Sequence, residues 1–111
     1  MSTEITTRRG DYYGDGTDNL IWEITDEQGI AAELYVDAEH RMIMNIEVRA
    51  DRRGEGLARA LYEAATATGT IYHAPVWACT PEGAAFAQAM GGEVMDDETA
   101  AEITGTDLSM I

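Results

Sequence analysis

Hydrophobic and polar residues alternate along the first half of the chain in short runs that are separated by polar turns. Two such runs are Leu20 to Ile24 and Ala31 to Val36, and the turn between them ends in Gly29, which can adopt a positive φ. A third run, Arg41 to Val48, alternates with period two. One of its faces carries Met42, Met44, Ile46 and Val48. The pattern predicts an antiparallel meander of three strands.

The segment ahead of this meander is rich in turn-forming residues. A first strand is predicted near Glu4 to Arg8, and Gly10 to Asn19 is interpreted as a loop because Gly, Asp and Asn are frequent in it. We therefore expect residues 1–19 to form a loosely ordered N-terminal segment.

The second half of the chain changes to helical spacing. Small and apolar residues recur every three or four positions after Gly56, which predicts a helix from Gly56 to Thr68. Ile71 to Cys79 is then interpreted as a strand bent at Pro75, because proline removes a ladder donor.

A second helix is predicted to begin at Thr80, a suitable N-cap followed by Pro81, and to end at Met90. Glu93 to Met95 adds a short strand, and residues 96–111 form either a final strand pair or a loose tail. The predicted fold is α+β with a mixed, mostly antiparallel sheet in β-β-β-α-β-α order. A chain of 111 residues has room for one domain, so residues 1–111 form a single unit.

Charge narrows the class of partner. The chain has 7 Lys+Arg, all of them arginine, and 21 Asp+Glu, so its formal net charge is 7 − 21 = −14. Direct binding to nucleic acid or to an anionic membrane is disfavoured, because both need a basic face. A cationic partner is favoured instead.

Cysteine usage and hydrophobicity limit the cellular compartments in which we expect the protein. Cys79 is the single thiol, so an intrachain disulfide is excluded, and we expect a small buried side chain. No apolar run approaches the roughly 18 residues that span a bilayer, and the N-terminus lacks the apolar stretch of a signal peptide. We expect a cytoplasmic protein. No metal site is predicted, because the aspartates between positions 11 and 18 lack EF-hand spacing.

The most informative stretch lies between the third strand of the meander and the first helix, where the sequence is RRGEGLA from Arg52 to Ala58. A helix N-terminus leaves backbone N–H groups unpaired, and glycines let an anion approach them closely. This turn therefore predicts a phosphate cradle. The alternative is a tight turn with solvated arginines. The turn lacks the third glycine of a dinucleotide-binding fingerprint and the lysine of a P-loop.

A resemblance to the GNAT family of N-acetyltransferases follows from this turn and its surroundings. The family's central motif is a strand that ends in valine, followed by Q/R-x-x-G-x-G/A and a helix. The stretch from Asn45 to Ala65 resembles this motif. The next strand and helix of the family are similar to VWACTPEGAAFAQAMGG, so the resemblance covers Met42 to Gly92. It implies the GNAT-like acyl-CoA N-acyltransferase fold and acetyl-CoA as the cofactor.

In that family the turn amides hold the pyrophosphate of coenzyme A, and the pantetheine arm lies where two parallel strands splay apart. The implied cofactor-binding residues are Val48, Arg49, Arg53, Gly54, Glu55, Gly56, Leu57, Ala58 and Thr80. The sequence departs from the pattern at Asp51, where the opening Gln or Arg is expected, and at Ala87, where the family often has a tyrosine that protonates the departing thiolate. It is also too short ahead of the meander for the usual pair of helices over the acceptor.

Two residues are candidates for the catalytic base. Glu47 precedes Val48 on the central strand and could accept a proton from an amine, whereas a solvated carboxylate is the alternative. His73 on the next strand is the other candidate, because histidine as a residue type commonly serves as a general base near neutral pH, whereas a structural histidine is the alternative.

The primary hypothesis is an acetyl-CoA-dependent N-acetyltransferase that transfers the acetyl group directly to a cationic amine, on a small molecule or a protein, with the thioester polarised by strand backbone donors. The first alternative is a catalytically inactive GNAT-like module in a larger assembly or a virus-encoded particle. A further alternative is an acidic mimic of nucleic acid. Open strand edges also predict a homo-oligomer or a larger complex.

Overall fold

The computed structural model describes residues 4–11, 14 and 16–106 and confirms an α+β fold. Among these residues the four-stranded sheet is antiparallel and not mixed, since parallel pairing is limited to isolated bridges, and the predicted β-β-β-α-β-α order is replaced by four strands followed by three α-helices. Its strands are β1 (Ile5–Gly10), β2 (Asn19–Asp26), β3 (Gly29–Asp37) and β4 (Ile43–Val48). Its α-helices, within these residues, are α1 (Leu57–Thr66), α2 (Pro81–Met90) and α3 (Asp97–Thr104). None of these helices is long and apolar enough to cross a membrane.

The strands follow one another across the sheet in the order β1-β2-β3-β4, so the predicted meander is confirmed. Gly29 adopts a φ of 111° at the β2–β3 turn, and Asp26 Oδ1 accepts a hydrogen bond of 2.8 Å from the Gln28 N–H. The N-terminal segment contains β1, each residue of which pairs with β2. Residues 12, 13 and 15 of the predicted loop lie outside the described residues.

The core lies between α1 and one face of the sheet. Trp22, Leu34 and Ile46 share one register position on β2, β3 and β4. A second register position is shared by Ile24, Ala32 and Val48, and both sets contact the helix side of the core. From α1 the core receives Leu57, Leu61 and Ala65. Because these three residues are spaced by four, they form one stripe that the helix buries on the sheet.

A bulge in β4 changes which residues face this core. Tyr35 is opposite Asn45 and Val36 is opposite Ile43, so Met44 is an extra residue without a cross-strand partner. The predicted face of Met42, Met44, Ile46 and Val48 is therefore wrong. Ile43, Ile46 and Val48 pack against the α1 cluster, whereas Met44 packs with Met42 in a second cluster.

The prediction of a strand from Ile71 to Cys79 is also wrong. Tyr72 forms a single parallel bridge with Met42, and His73 forms one with Val94. After Pro75 the chain turns into a short 3₁₀-helix, Val76–Ala78. Proline supplies no N–H for a ladder, and neighbouring residues here pair with different segments, so no continuous strand forms. The strand predicted at Glu93 to Met95 is likewise reduced to that bridge at Val94.

The C-terminal region is helical where a strand pair or a tail was predicted for residues 96–111. Asp96 caps α3 by accepting a hydrogen bond of 2.9 Å from the Thr99 N–H, and acidic residues occupy the first turn. Ala100 packs with Met42 and Met95 in the second, smaller core cluster. This contact gives the helix an apolar partner, while residues 107–111 lie outside the described residues.

Candidate functional site

A cleft opens where β4 and the following extended segment separate. The Ile43 N–H donates to the Tyr72 carbonyl and the Tyr72 N–H donates to the Arg41 carbonyl, each at 2.8 Å. One residue later the pairing changes, because the His73 N–H donates to the Glu93 carbonyl at 2.8 Å. Beyond Met44, β4 therefore has no strand on its outer edge among the described residues.

Two adjoining cavities form this cleft between β4 and α2. The outer cavity, of about 440 Å³, begins at Arg53 and Ala58 beside the start of α1. The inner cavity, of about 100 Å³, lies toward the Met42–Tyr72 bridge and reaches His73 and Ala87. Residues that line both cavities are Asn45, Ile46, Thr80, Gly83 and Phe86. The two cavities are thus successive parts of one groove along β4.

The glycine turn stands at the outer end of the cleft. Gly54 and Gly56 have φ values of 85° and 80°, and a Cβ built on either would meet no atom within 4 Å. Gly56 is the N-cap of α1 and provides no side-chain hydrogen bond to it. Within the part of the chain that the structure describes, the first N–H groups of α1 consequently have neither an intrahelical nor a side-chain partner, and space for an anion lies beside them.

Two of the three arginines around this turn are already neutralised. Asp26 accepts hydrogen bonds from Arg49 Nη1 at 3.1 Å and from Arg52 Nη1 at 2.6 Å. Arg49 also pairs with Asp51 at 2.6 Å, and Arg52 with Glu55 at 2.8 Å. The arginine hydrogen bonds hold the pKa of Asp26 far below its usual range and raise the pKa of Arg49. These five residues form a network beneath the turn.

Arg53 differs from the other two arginines. Its Nε donates to the Val48 carbonyl at 3.2 Å, and no carboxylate of the described ranges lies within ion-pair distance of it. The side chain is exposed and lines the outer cavity. Arg53 is therefore the cation of the turn that an anionic ligand would meet.

Glu47 also lines the outer cavity and is exposed. It is opposite Glu33 on β3, which is in turn opposite Glu23 on β2. These three glutamates form a row across the sheet face that points away from α1. Like charges in opposite positions destabilise a sheet, and Arg8 offsets part of this repulsion by pairing with Glu23 at 3.0 Å.

His73 is held by neighbouring groups at the inner cavity. The residue is 3% exposed, and its Nε2 lies 2.7 Å from the Gly91 carbonyl oxygen, to which it donates. The ring stacks on Tyr62 with centroids 5.2 Å apart and meets Phe86 edge-on. These contacts use one ring nitrogen to hold the end of α2, so His73 has a structural role whatever its chemistry.

Three further residues of the inner cavity wall come from the α2 region. Thr80 caps α2 as predicted, because its Oγ1 accepts a hydrogen bond of 3.1 Å from the Gly83 N–H. Cys79 donates from Sγ to the Ala74 carbonyl at 3.3 Å, and burial raises the pKa of its thiol. Ala87 offers only a methyl group at the position where the resemblance would place a tyrosine.

The structure brings together part of the predicted site. Glu47, Val48, Arg53, Ala58 and Thr80 line the outer cavity, and Gly54 and Gly56 lie in the turn between Arg53 and Ala58. The side chains of three predicted cofactor contacts do not line the outer cavity. Arg49 and Glu55 belong to the Asp26 network, and Leu57 is buried in the core.

Sequence reasoning missed Asp26 and Asn45. Asp26 is distant in sequence from the arginines that it binds, so no local signal reveals it. Asn45 lines both cavities, and its Nδ2 is buried without a hydrogen-bond partner among the described residues. Its polar side chain within an apolar strand run was a visible signal.

In the part of the chain that the structure describes, no three His, Cys, Asp or Glu side chains converge as a metal site requires. Comparisons with models of known protein families, with curated proteins and with solved structures find no match for this chain.

Proposed function

We propose that the chain binds acetyl-CoA in the cleft beside β4 and transfers its acetyl group to an amine. The proposed architecture is a short GNAT-like domain in which the segment around Tyr72 and His73 takes the place of the fifth strand. The observation that carries the proposal is the separation of this segment from β4 after a single bridge, with the glycine turn at the cleft's outer end.

The start of α1 would hold the phosphates of the cofactor. Its uncapped N–H groups and Arg53 supply donors and positive charge, whereas Arg49 and Arg52 keep the turn in place through Asp26. The edge of β4 would meet the pantetheine arm. The Arg49 N–H donates to the Ala31 carbonyl, so alternation directs the N–H groups of Val48 and Ile46 toward the cleft.

Glu47 is the group best placed to accept the proton of an attacking amine. It is exposed, it lines the outer cavity, and no side chain among the described residues forms an ion pair with it. Catalysis would come mainly from holding the amine beside the thioester and from donors to the developing oxyanion. His73 is the second candidate base, although its Nε2 is engaged by Gly91.

A cationic amine is the proposed acceptor. The net charge of −14 attracts such a molecule, and Glu47 continues the glutamate row of the face away from α1. A homo-oligomer or a larger assembly remains part of this proposal, because β1 is an edge strand with an exposed central portion.

A second candidate is a catalytically inactive binding module of the same fold. One observation favours it: Ala87 supplies no proton for a departing thiolate. Both candidates require the cleft to bind coenzyme A, and they differ only in turnover.

Isothermal titration with coenzyme A and with acetyl-CoA at low ionic strength tests both candidates. If binding is found, release of free thiol is followed with a polyamine, a lysine amide and a peptide with a free N-terminus. Thiol release with any amine supports the transferase, and binding without turnover supports the inactive module. Absence of binding by a folded protein contradicts both.

A further inference from the structure

The inner cavity extends the cleft beyond the point where the outer cavity ends. Its walls are mostly aliphatic or small, from Ile43 and Met44 on β4, Ala74 and Ala78 beyond the bridge, and Ala87 on α2. The space exists because alanines face the bulged part of β4, where larger side chains would fill it.

Three of the polar side chains in this wall already form hydrogen bonds with the backbone. Thr80 accepts from the Gly83 N–H, Cys79 donates to the Ala74 carbonyl, and His73 donates to the Gly91 carbonyl. The Nδ2 of Asn45 is buried and has no hydrogen-bond partner among the described residues. A polar ligand would find few free hydrogen-bonding groups here, whereas an aliphatic ligand would leave these three hydrogen bonds intact.

We infer that the inner cavity holds the aliphatic acyl group of a coenzyme A thioester and prefers a chain of about four carbons to acetyl. This inference rests on the proposed function, which places the phosphates at the glycine turn and directs the arm inward. The size follows from volume. A cavity of about 150 Å³ accommodates benzene, which has six carbons. The inner cavity has a volume of about 100 Å³, which in proportion corresponds to about four carbons.

The test is isothermal titration of the whole chain with coenzyme A, acetyl-CoA and butyryl-CoA. Butyryl-CoA should bind about tenfold more tightly than acetyl-CoA, because it buries two more methylene groups. Equal affinity for the two thioesters, with coenzyme A binding intact, overturns this inference and leaves the proposed function standing. No binding of any of the three overturns both.

A matched pair of variants locates the effect. Ala87→Leu places a larger side chain in the inner cavity and should abolish the preference for butyryl-CoA while coenzyme A still binds. Ala89→Leu makes the same change at an exposed position of α2 and should retain the preference. If both variants retain it, the acyl group lies elsewhere. Circular dichroism checks folding, and the ligand series on the parent decides the inference even if Ala87→Leu does not fold.

Discussion

Asp26 accepts hydrogen bonds from Arg49 through both of its carboxylate oxygens, and this ion pair fastens the β2–β3 turn to the residue that follows β4. Arg52 binds the same carboxylate. The glycine turn is thereby anchored from below at the point where the candidate site needs a fixed backbone. Two arginines that seemed available for a ligand therefore serve the fold.

Asp26→Asn should lower the free energy of unfolding at pH 7. It should also make that free energy less dependent on pH in the acidic range. The arginines depress the pKa of Asp26, so its stabilisation is present above the ordinary aspartate pKa of about 3.9 and is lost as the pH falls below that value. Unfolding of the parent at acidic pH takes up a proton at Asp26, whereas the variant has no carboxyl group at this position. Denaturant unfolding at pH 7, 5, 4 and 3 should therefore show that the variant takes up fewer protons on unfolding than the parent, by up to about one. Asp11→Asn, at an exposed loop position, should leave the curve unchanged.

Gly56→Val should weaken coenzyme A binding by at least roughly tenfold, because the new side chain projects into the open space beside the α1 N-terminus. Gly105→Val is the matched control. Its φ of 72° is close to the 80° of Gly56, its Cβ also meets open space, and it lies at the end of α3. Both variants carry the same backbone strain. Equal loss of binding in both would locate the cause in strain instead of in the cradle.

Arg53→Gln should reduce coenzyme A affinity roughly tenfold and weaken its dependence on salt, since one charge-assisted hydrogen bond to phosphate is removed. Arg59→Gln makes the same charge change at an exposed residue of α1 that lines neither cavity. Titrations at several salt concentrations compare the two variants. Identical slopes would mean that Arg53 contributes only to the overall charge.

Glu47→Gln should lower kcat/KM by about 100-fold with the best amine and alter the acidic limb of its pH profile, as expected for loss of a positioned base. Glu63→Gln, on the exposed side of α1, should retain parental activity. His73→Gln should have the smaller effect of the two candidate bases. An unchanged profile in Glu47→Gln would remove its role, and a loss confined to His73→Gln would transfer the role to the histidine.

Thr80→Ala should destabilise the protein by about 1 kcal/mol, because the Gly83 N–H loses its capping partner at the start of α2. Thr80→Ser retains a hydroxyl at the cap and should recover most of the loss. Denaturant unfolding monitored by circular dichroism measures both variants. If Ser destabilises as much as Ala, the methyl group of Thr80 matters more than its hydrogen bond.

Local signals were enough to predict the meander, the first two helices and the Thr80 cap. They act within a few residues: alternation with period two, spacing of four along α1, and a cap followed by proline. The helix at Asp97–Thr104 also had such signals in its Asp96 cap and acidic first turn, although a strand pair or a loose tail was predicted there.

Features that depend on distant partners could not be predicted. The bulge at Met44 leaves the alternation of residue types unchanged, so only the pairing with Tyr35 and Val36 reveals it. His73 pairs with Val94, a partner that no local pattern identifies, and Asp26 meets Arg49 only once the hairpin has folded. The glycine turn was predictable as a motif, whereas the sequence did not reveal which of its arginines pair with carboxylates and which does not.

Strand order has a consequence for the sequence of events in folding. Each strand pairs with its neighbour along the chain, so the sheet can grow by adding one hairpin at a time, with short loops to close. The walls of the cleft instead need contacts such as Met42 with Tyr72 and His73 with Val94, which close longer loops. The sheet can therefore be complete before these contacts form, and we expect the cleft to be the last part of the fold to gain its shape.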